Sequence, residues 1–297
     1  MRLALALTLA AMLCGAARAD ETYNAISANR DAYKRVVHLL GDSISRGWAL
    51  GTFPDVAPPE VKASSRWPLR SPASMVNLLI ADAGLNGEIV VAFADHLGFP
   101  DDARVATQAT KVAKLIADNV IRQGDLVVLE DAGNHPRDPD RYELQWRRVL
   151  QPLAASGATV IMVDMFDYIT DTEVGGDPAD TYRFSVAFKG GATGAMRSHN
   201  DATAAAARSA GVPLIPLHKR MDAYRSTALD RFKTDPIHRD GIHPNIWGQC
   251  VFAAVIAEAA QIPTRNRAAF TEAFRRAEPA KSRTAVEGLV ELCLGKP

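Results

Sequence analysis

The stretch Val36-Val37-His38-Leu39-Leu40-Gly41-Asp42-Ser43-Ile44-Ser45 changes abruptly from a mostly apolar run to small and polar residues. The apolar run predicts a strand buried on both faces, as in parallel sheets, and His38 is expected inside that strand as a core or edge residue. Gly41 allows a sharp exit, after which the Ser43 hydroxyl can enter the crevice where open α/β sheets bind ligands. The alternative is that Ser43 only caps a helix.

The same pattern recurs along the chain. Four further apolar runs predict strands, and they alternate with amphipathic segments that predict helices. This order favours a five-stranded parallel sheet covered by helices on both faces. The predicted strands after the first are 88–93, 126–129, 159–163 and 212–217, and the predicted helices are 72–83, 103–122, 141–155, 201–210 and 246–260.

Two segments are too long for simple connections. Residues 48–69 are rich in proline, and residues 164–194 contain two Gly-Gly pairs with several acidic and aromatic residues. Loops of this length are candidates for shaping a substrate site, although surface decoration without a role is the alternative. Residues 264–297 predict a charged helical tail, split into two short helices near Pro279.

The amino terminus has the pattern of a signal peptide. Arg2 precedes an apolar run from Leu3 to Leu13 that is too short to cross a bilayer, and Ala17-Arg18-Ala19 offers small residues at the two positions read by a signal peptidase. Residues 1–19 are therefore expected to be removed, which leaves residues 20–297 as a single exported domain, periplasmic or secreted. A lipoprotein signal at Cys14 is the alternative, but Leu13 is too bulky for it.

Charge and composition exclude several partners. The formal net charge is zero, and no basic run with interleaved aromatic residues suggests nucleic acid binding. After residue 19 no uninterrupted apolar stretch of 18 residues follows, so stable membrane insertion is not expected. Cys250 and Cys293 could pair in an oxidising compartment or remain buried thiols, and their spacing does not decide between the two.

A second segment with chemical potential is Asp240-Gly241-Ile242-His243-Pro244-Asn245. A serine hydroxyl needs a base within hydrogen-bond reach, and an imidazole serves best when a carboxylate fixes its tautomer. Asp240 and His243 can meet on one turn bent by Gly241 and Pro244. The alternative is a polar loop before a helix that Asn245 caps, which leaves Asp240 and His243 without a role.

A third segment, Glu130-Asp131-Ala132-Gly133-Asn134-His135-Pro136, follows the third predicted strand. The Asn134 amide could donate a hydrogen bond to an oxyanion, whereas a plain Gly-Asn turn is the alternative. A metal site formed by His135, His238, Asp240 and His243 is disfavoured because the spacing is irregular and prolines interrupt it. Contact with substrate is the expected role of His135 and His238, with no role as the alternative for His238. His199 and His218 are interpreted as surface or loop residues.

Together these segments resemble the conserved blocks of the SGNH (GDSL-type) hydrolase family over residues 35–260. Gly41-Asp42-Ser43 resembles the nucleophile block, and Asp240-Gly241-Ile242-His243-Pro244 resembles the Asp-x-x-His-Pro block. Asn134 stands where the family has its oxyanion asparagine, and Gly98 where it has its oxyanion glycine. The chain departs from the family at Phe93, where an asparagine is usual, and at His135, where an aspartate is usual.

The resemblance implies a flavodoxin-like three-layer α/β/α sandwich and hydrolysis of carboxylic esters without metal or cofactor. Ser43, His243 and Asp240 would form the triad, with the oxyanion held by Ser43, Gly98 and Asn134. The expected substrates are short acyl, notably acetyl, esters of carbohydrate or a small molecule. The alternatives are a lipase, lysophospholipase or thioesterase for longer acyl chains, or a catalytically silent glycan-binding protein of the cell envelope.

Overall fold

The computed structural model describes residues 29–41, 44–45, 47, 69, 71–94, 102–130, 139–164, 191–237 and 244–296. Within them, a short 3-10 helix at Arg30–Ala32 precedes five strands and eight α-helices. The strands are β1 (Arg35–Leu40), β2 (Ile89–Ala94), β3 (Leu126–Glu130), β4 (Thr159–Val163) and β5 (Leu214–Ile215). The helices are α1 (Pro72–Asp82), α2 (Asp102–Ala117), α3 (Pro139–Ala155), α4 (Gly191–Ala210), α5 (Leu217–Phe232), α6 (Ile246–Ala259), α7 (Ala268–Ala277) and α8 (Arg283–Leu294).

The strands form one parallel sheet in the order β2-β1-β3-β4-β5. Strand β1 lies between β2 and β3, and its last residue, Leu40, is in register with Ala94 and with Leu129. The carboxyl ends of these three strands therefore lie side by side. The segments that leave them, which include the predicted nucleophile and oxyanion residues, start from the same edge of the sheet.

Helices cover both faces of the sheet. Val37 and Leu39 of β1 pack with α1, α5, α6, α7 and α8 in one hydrophobic cluster. Leu40 belongs to a second cluster on the opposite face, which includes residues of α2, α3 and α4. Two layers of helices thus enclose the sheet, which confirms the predicted three-layer α/β/α sandwich.

Three predicted element boundaries were wrong. Helix α2 ends at Ala117 rather than at residue 122, because the chain turns there and Asn119 adopts a positive φ of 58°. Helix α4 begins at Gly191, inside the stretch interpreted as a loop to residue 194. Strand β5 has only two residues, because Pro213 and Pro216 flank it and cannot donate backbone hydrogen bonds to a ladder.

Helix α5 was missed in the sequence. Its buried residues, Leu217, Met221, Tyr224 and Ala228, recur at helical spacing within an otherwise polar segment. This helical period predicts α5. Pro213 and Pro216 instead favoured the prediction of a strand that extends through Leu217.

The predicted helical tail is part of the core. Helices α7 and α8 lie on either side of Pro279, as predicted. Phe270 and Phe274 of α7 are fully buried, and the Phe274 ring centroid lies 4.7 Å from that of Trp247 in α6. A disulfide between Cys250 of α6 and Cys293 of α8 settles the question that the cysteine spacing left open.

A buried ionic network closes the amino-terminal end of the sheet. Asp125, directly before β3, accepts hydrogen bonds from Arg30 Nη2 at 2.6 and 2.8 Å and contacts His38 Nε2 at 3.1 Å. Burial lowers the pKa of His38, which outweighs the opposing effect of Asp125. His38 is therefore a core residue with a structural role, as the sequence predicted.

None of the helices in the described part of the chain is long and apolar enough to cross a membrane.

The disulfide provides a test of the tail as a structural element. Cys293→Ser should lower the free energy of unfolding by about 4 kcal/mol, the loop-closure effect expected for a separation of 43 residues. Urea unfolding of the wild type with and without reductant, beside the variant, measures this. The reduced wild type should match the variant, and a variant as stable as the oxidised wild type would contradict this account.

Candidate active site

The residues predicted to perform chemistry lie outside the described residues, but the described part of the chain flanks each segment that contains them. The flanking residues show which described parts of the chain are attached to each other. The predicted site residues in question are Ser43, Gly98, Asn134, His135, His238, Asp240 and His243.

The turn that follows β1 is anchored at Ile44. Ile44 is buried, and its carbonyl oxygen accepts a hydrogen bond from the Gly47 N–H at 2.9 Å. The same oxygen accepts a second bond, at 2.8 Å, from Nε2 of Gln249. Gln249 is fully buried in the first turns of α6, and 205 residues separate it from Ile44. The segment of the first motif is thus fixed against the helix that follows the Asp-x-x-His-Pro motif.

Asn245 caps helix α6, as the alternative interpretation of this segment held. Its Oδ1 accepts hydrogen bonds from the N–H groups of Trp247 at 2.9 Å and Gly248 at 3.4 Å. Gly248 has no room for a side chain, because a Cβ there would collide with the Pro236 carbonyl oxygen and the Pro244 ring. The start of α6 therefore packs directly against both ends of the 238–243 segment.

The residues at the two ends of the 238–243 segment are hydrogen-bonded to each other. Ile237 and Pro244 form an antiparallel bridge, and the Asn245 N–H donates to the Pro236 carbonyl oxygen at 2.9 Å. The Asn245 side-chain amide also donates to the Asp235 carbonyl oxygen at 2.6 Å. Asn245 is thus both a helix cap and a clamp on the loop that contains the predicted acid and base, so the two interpretations of this segment are compatible.

A buried contact joins the first motif to the third. Glu130 is the last residue of β3, and its Oε2 accepts a hydrogen bond from the Ser45 hydroxyl. Glu130 is 1% exposed and Ser45 is fully buried. Glu130 immediately precedes the 131–136 segment, which includes Asn134. Sequence reasoning singled out neither residue as a contact, although an acidic residue that ends an apolar strand was the visible signal.

Position 41 requires a glycine because there is no space for a side chain. Its φ lies outside the left-handed region, so the sharp exit that the sequence suggested does not require glycine. A Cβ at Gly41 would instead overlap the Ser45 side chain and Glu130 Oε2. The glycine at the end of β1 is therefore dictated by the Ser45–Glu130 contact.

A second pair lies at the ends of β4 and β5. Asp164, which follows β4, accepts a hydrogen bond from the His218 N–H at 3.0 Å, and its Oδ2 lies 2.6 Å from His218 Nδ1. Burial raises the pKa of Asp164, although hydrogen bonds from His218 oppose the shift. His218 lies in the first turn of α5 with its side chain 28% exposed, so it is a partly exposed helix residue rather than a loop residue. Asp164 thus caps the first turn of α5, because Pro216 at the N-cap position has no side-chain acceptor.

The described residues contain no group of three or more His, Cys, Asp or Glu side chains that could hold a metal ion. The four residues considered for a metal site in the sequence lie outside them.

Comparison with solved structures identifies the fold. A protein described as a GDSL-like lipase from Parabacteroides merdae superposes with a TM-score of 0.50 at 12% identity, over 78% of this chain and 97% of that chain. A lipase/acylhydrolase from Enterococcus faecalis gives a TM-score of 0.48 at 16% identity, over 77% and 98%. A carbohydrate acetylesterase from Sinorhizobium meliloti gives 0.48 at 18% identity, over 77% and 100%.

No family model and no curated protein matches the chain. With the sheet order and the two helix layers, the likeness to solved structures shows that the chain has the fold of SGNH (GDSL-type) hydrolases.

The packing around Gly41 can be tested by substitution. Gly41→Ala should lower the free energy of unfolding by at least ~2 kcal/mol, because the new methyl group overpacks a closed interior. Removing the Ser45 side chain as well, in Gly41→Ala/Ser45→Gly, should recover part of the loss. Urea unfolding of Gly41→Ala, Ser45→Gly and the double variant measures this. A double variant that is less stable by the sum of the two single effects would contradict the contact.

Proposed function

We propose that the protein is a serine esterase in which Ser43 is the nucleophile, His243 the general base and Asp240 the group that orients His243. The observation that carries this proposal is the hydrogen bond from Gln249 to the Ile44 carbonyl oxygen at 2.8 Å. It joins the residue after Ser43 to the helix that begins three residues after His243. Distant parts of the sequence that together supply a nucleophile and a base are thus attached to each other, as a triad requires.

In the proposed reaction, Ser43 Oγ attacks the ester carbonyl carbon while His243 removes the hydroxyl proton. The tetrahedral oxyanion accepts hydrogen bonds from the N–H groups of Ser43 and Gly98 and from the Asn134 amide. His243 then gives its proton to the leaving alcohol, and an acyl-enzyme remains. Water, deprotonated by His243, attacks the acyl carbon, and the acid and free Ser43 are released.

Two features of the described residues support the oxyanion site. The ends of β1, β2 and β3 are adjacent, so the segments that contain Ser43, Gly98 and Asn134 leave the sheet side by side. The Ser45–Glu130 hydrogen bond further attaches the first of these segments to the start of the third. Donors from neighbouring segments can then converge on one oxygen.

For the substrate we propose short acyl esters, with carbohydrate acetyl esters as the first choice. Long acyl chains favour a large apolar surface near the site. Among the described residues the exposed large hydrophobic side chains are Leu144 of α3 and Leu229 of α5.

We also propose that the chain is exported after removal of residues 1–19. The Cys250–Cys293 disulfide supports this, because disulfides persist mainly in oxidising compartments.

The nucleophile is tested with p-nitrophenyl acetate. Ser43→Ala should lower kcat by at least ~10⁴-fold, because the acyl-enzyme can no longer form. Ser226→Ala, which changes an exposed serine of α5, is the matched control and should retain full turnover. A Ser43→Ala protein that folds and turns over like the wild type would refute the assignment.

The acyl preference is tested with p-nitrophenyl esters of two to twelve carbons. kcat/KM should be highest for the acetyl ester and fall as the chain lengthens, because a site that fits a short acyl group excludes additional methylene groups. An optimum at eight carbons or more would contradict the proposal for short acyl groups and favour a lipase or lysophospholipase.

A further inference from the structure

We propose that Glu130 is a positioning residue of the reaction, which acts through Ser45 to hold the nucleophile turn in register with the oxyanion segment. The inference rests on the proposed function, because it takes Ser43 as the nucleophile and Asn134 as an oxyanion donor. Glu130 itself contacts no reacting atom in this account. Its effect reaches Ser43 through the Ser45 hydroxyl, two residues further along the chain.

The position of Glu130 in the sheet is unusual for a carboxyl group. In the ladder between β3 and β4 it is in register with Val163, which is apolar and equally buried. Burial of a carboxyl group is unfavourable unless hydrogen bonds compensate for it, so an apolar side chain would satisfy packing at this level more simply. The chain nevertheless places an acid there, and its Oε2 accepts the Ser45 hydroxyl hydrogen.

The same contact also restricts the residue at position 41, at the same edge of the sheet. Gly41 cannot bear a side chain, because the space of its Cβ is occupied by Ser45 and Glu130. A buried acid and a glycine without room for a side chain thus both lie at this hydrogen bond. That bond spans 85 residues of sequence and connects the segments on either side of the proposed oxyanion site.

The turn is held from two directions. Gln249 of α6 binds the Ile44 carbonyl oxygen, and Glu130 of β3 binds the next residue, Ser45. Loss of the Glu130 contact would release one side while the other keeps the turn attached. The expected result is a nucleophile displaced by a fraction of an ångström in a folded protein. Displacements of that size lower the rate of the chemical step by up to ~100-fold without a comparable effect on ground-state binding.

The test compares Glu130→Leu with Glu130→Gln in p-nitrophenyl acetate hydrolysis. Glu130→Leu removes the acceptor and should lower kcat by about 10- to 100-fold with KM changed by less than about twofold. Glu130→Gln retains an oxygen acceptor for Ser45 and should restore kcat to within about fivefold of the wild type. The rate of labelling of Ser43 by a fluorophosphonate should follow the same order.

Two further variants separate positioning from general destabilisation. Ser45→Ala should reproduce the kinetic loss of Glu130→Leu, and the double variant should lose no more than either single variant, because both remove the same contact. Leu153→Ala removes a buried side chain in the last turn of α3, in the cluster on the other face of the sheet, so it should lower stability and leave kcat unchanged. Ser45→Ala also keeps the inference testable if Glu130→Leu does not fold.

The outcomes distinguish this inference from the proposed function. Full kcat in folded Glu130→Leu or Ser45→Ala, with Ser43→Ala inactive, would overturn the role of Glu130 alone. Equal losses in Glu130→Gln and Glu130→Leu would also overturn it, because the acceptor would then not matter. Turnover that survives Ser43→Ala would refute both proposals.

Discussion

The turn after the first strand is held by two buried side chains that come from opposite directions. Gln249 donates to the Ile44 carbonyl oxygen, and Glu130 accepts from the Ser45 hydroxyl. Parallel strands bring the ends of β1, β2 and β3 to one edge, but strand pairing alone does not bring the loop before α6 to that edge. The Gln249 bond attaches the first turns of α6 to that edge, and the proposed triad depends on this attachment.

The rest of the carboxyl-terminal region keeps Gln249 in place. Its neighbour Cys250 is covalently bound to Cys293, so α8 is attached to α6 immediately beside the residue that holds the turn of the proposed nucleophile. Trp247, two residues before Gln249 in α6, packs against Phe274 of α7. The last two helices, which the sequence predicts as a charged tail, therefore stabilise the position of α6, on which the proposed site depends.

The sequence was sufficient for the layered fold because the continuous apolar strands and amphipathic helices leave few other arrangements. The start of α5 was predicted wrongly, because Pro213 and Pro216 favoured a longer strand over a helix that begins at Leu217. For residues 240–245, the structure confirms the alternative interpretation that Asn245 caps α6. The roles of Glu130 and Gln249 could not be derived from spacing, because each depends on a partner 85 or 205 residues away. Pairing of Cys250 with Cys293 likewise required the packing of α8 on α6.

The central claim is that one serine and one histidine from distant motifs share a single cleft. A crystal structure of the full chain after reaction with diethyl p-nitrophenyl phosphate tests it most directly. The account predicts a phosphoryl group on Ser43 Oγ, His243 Nε2 within about 3.2 Å of an adduct oxygen, and Asp240 at the other ring nitrogen. A phosphoryl group on any other residue, or a His243 ring that faces away from Ser43, would contradict it.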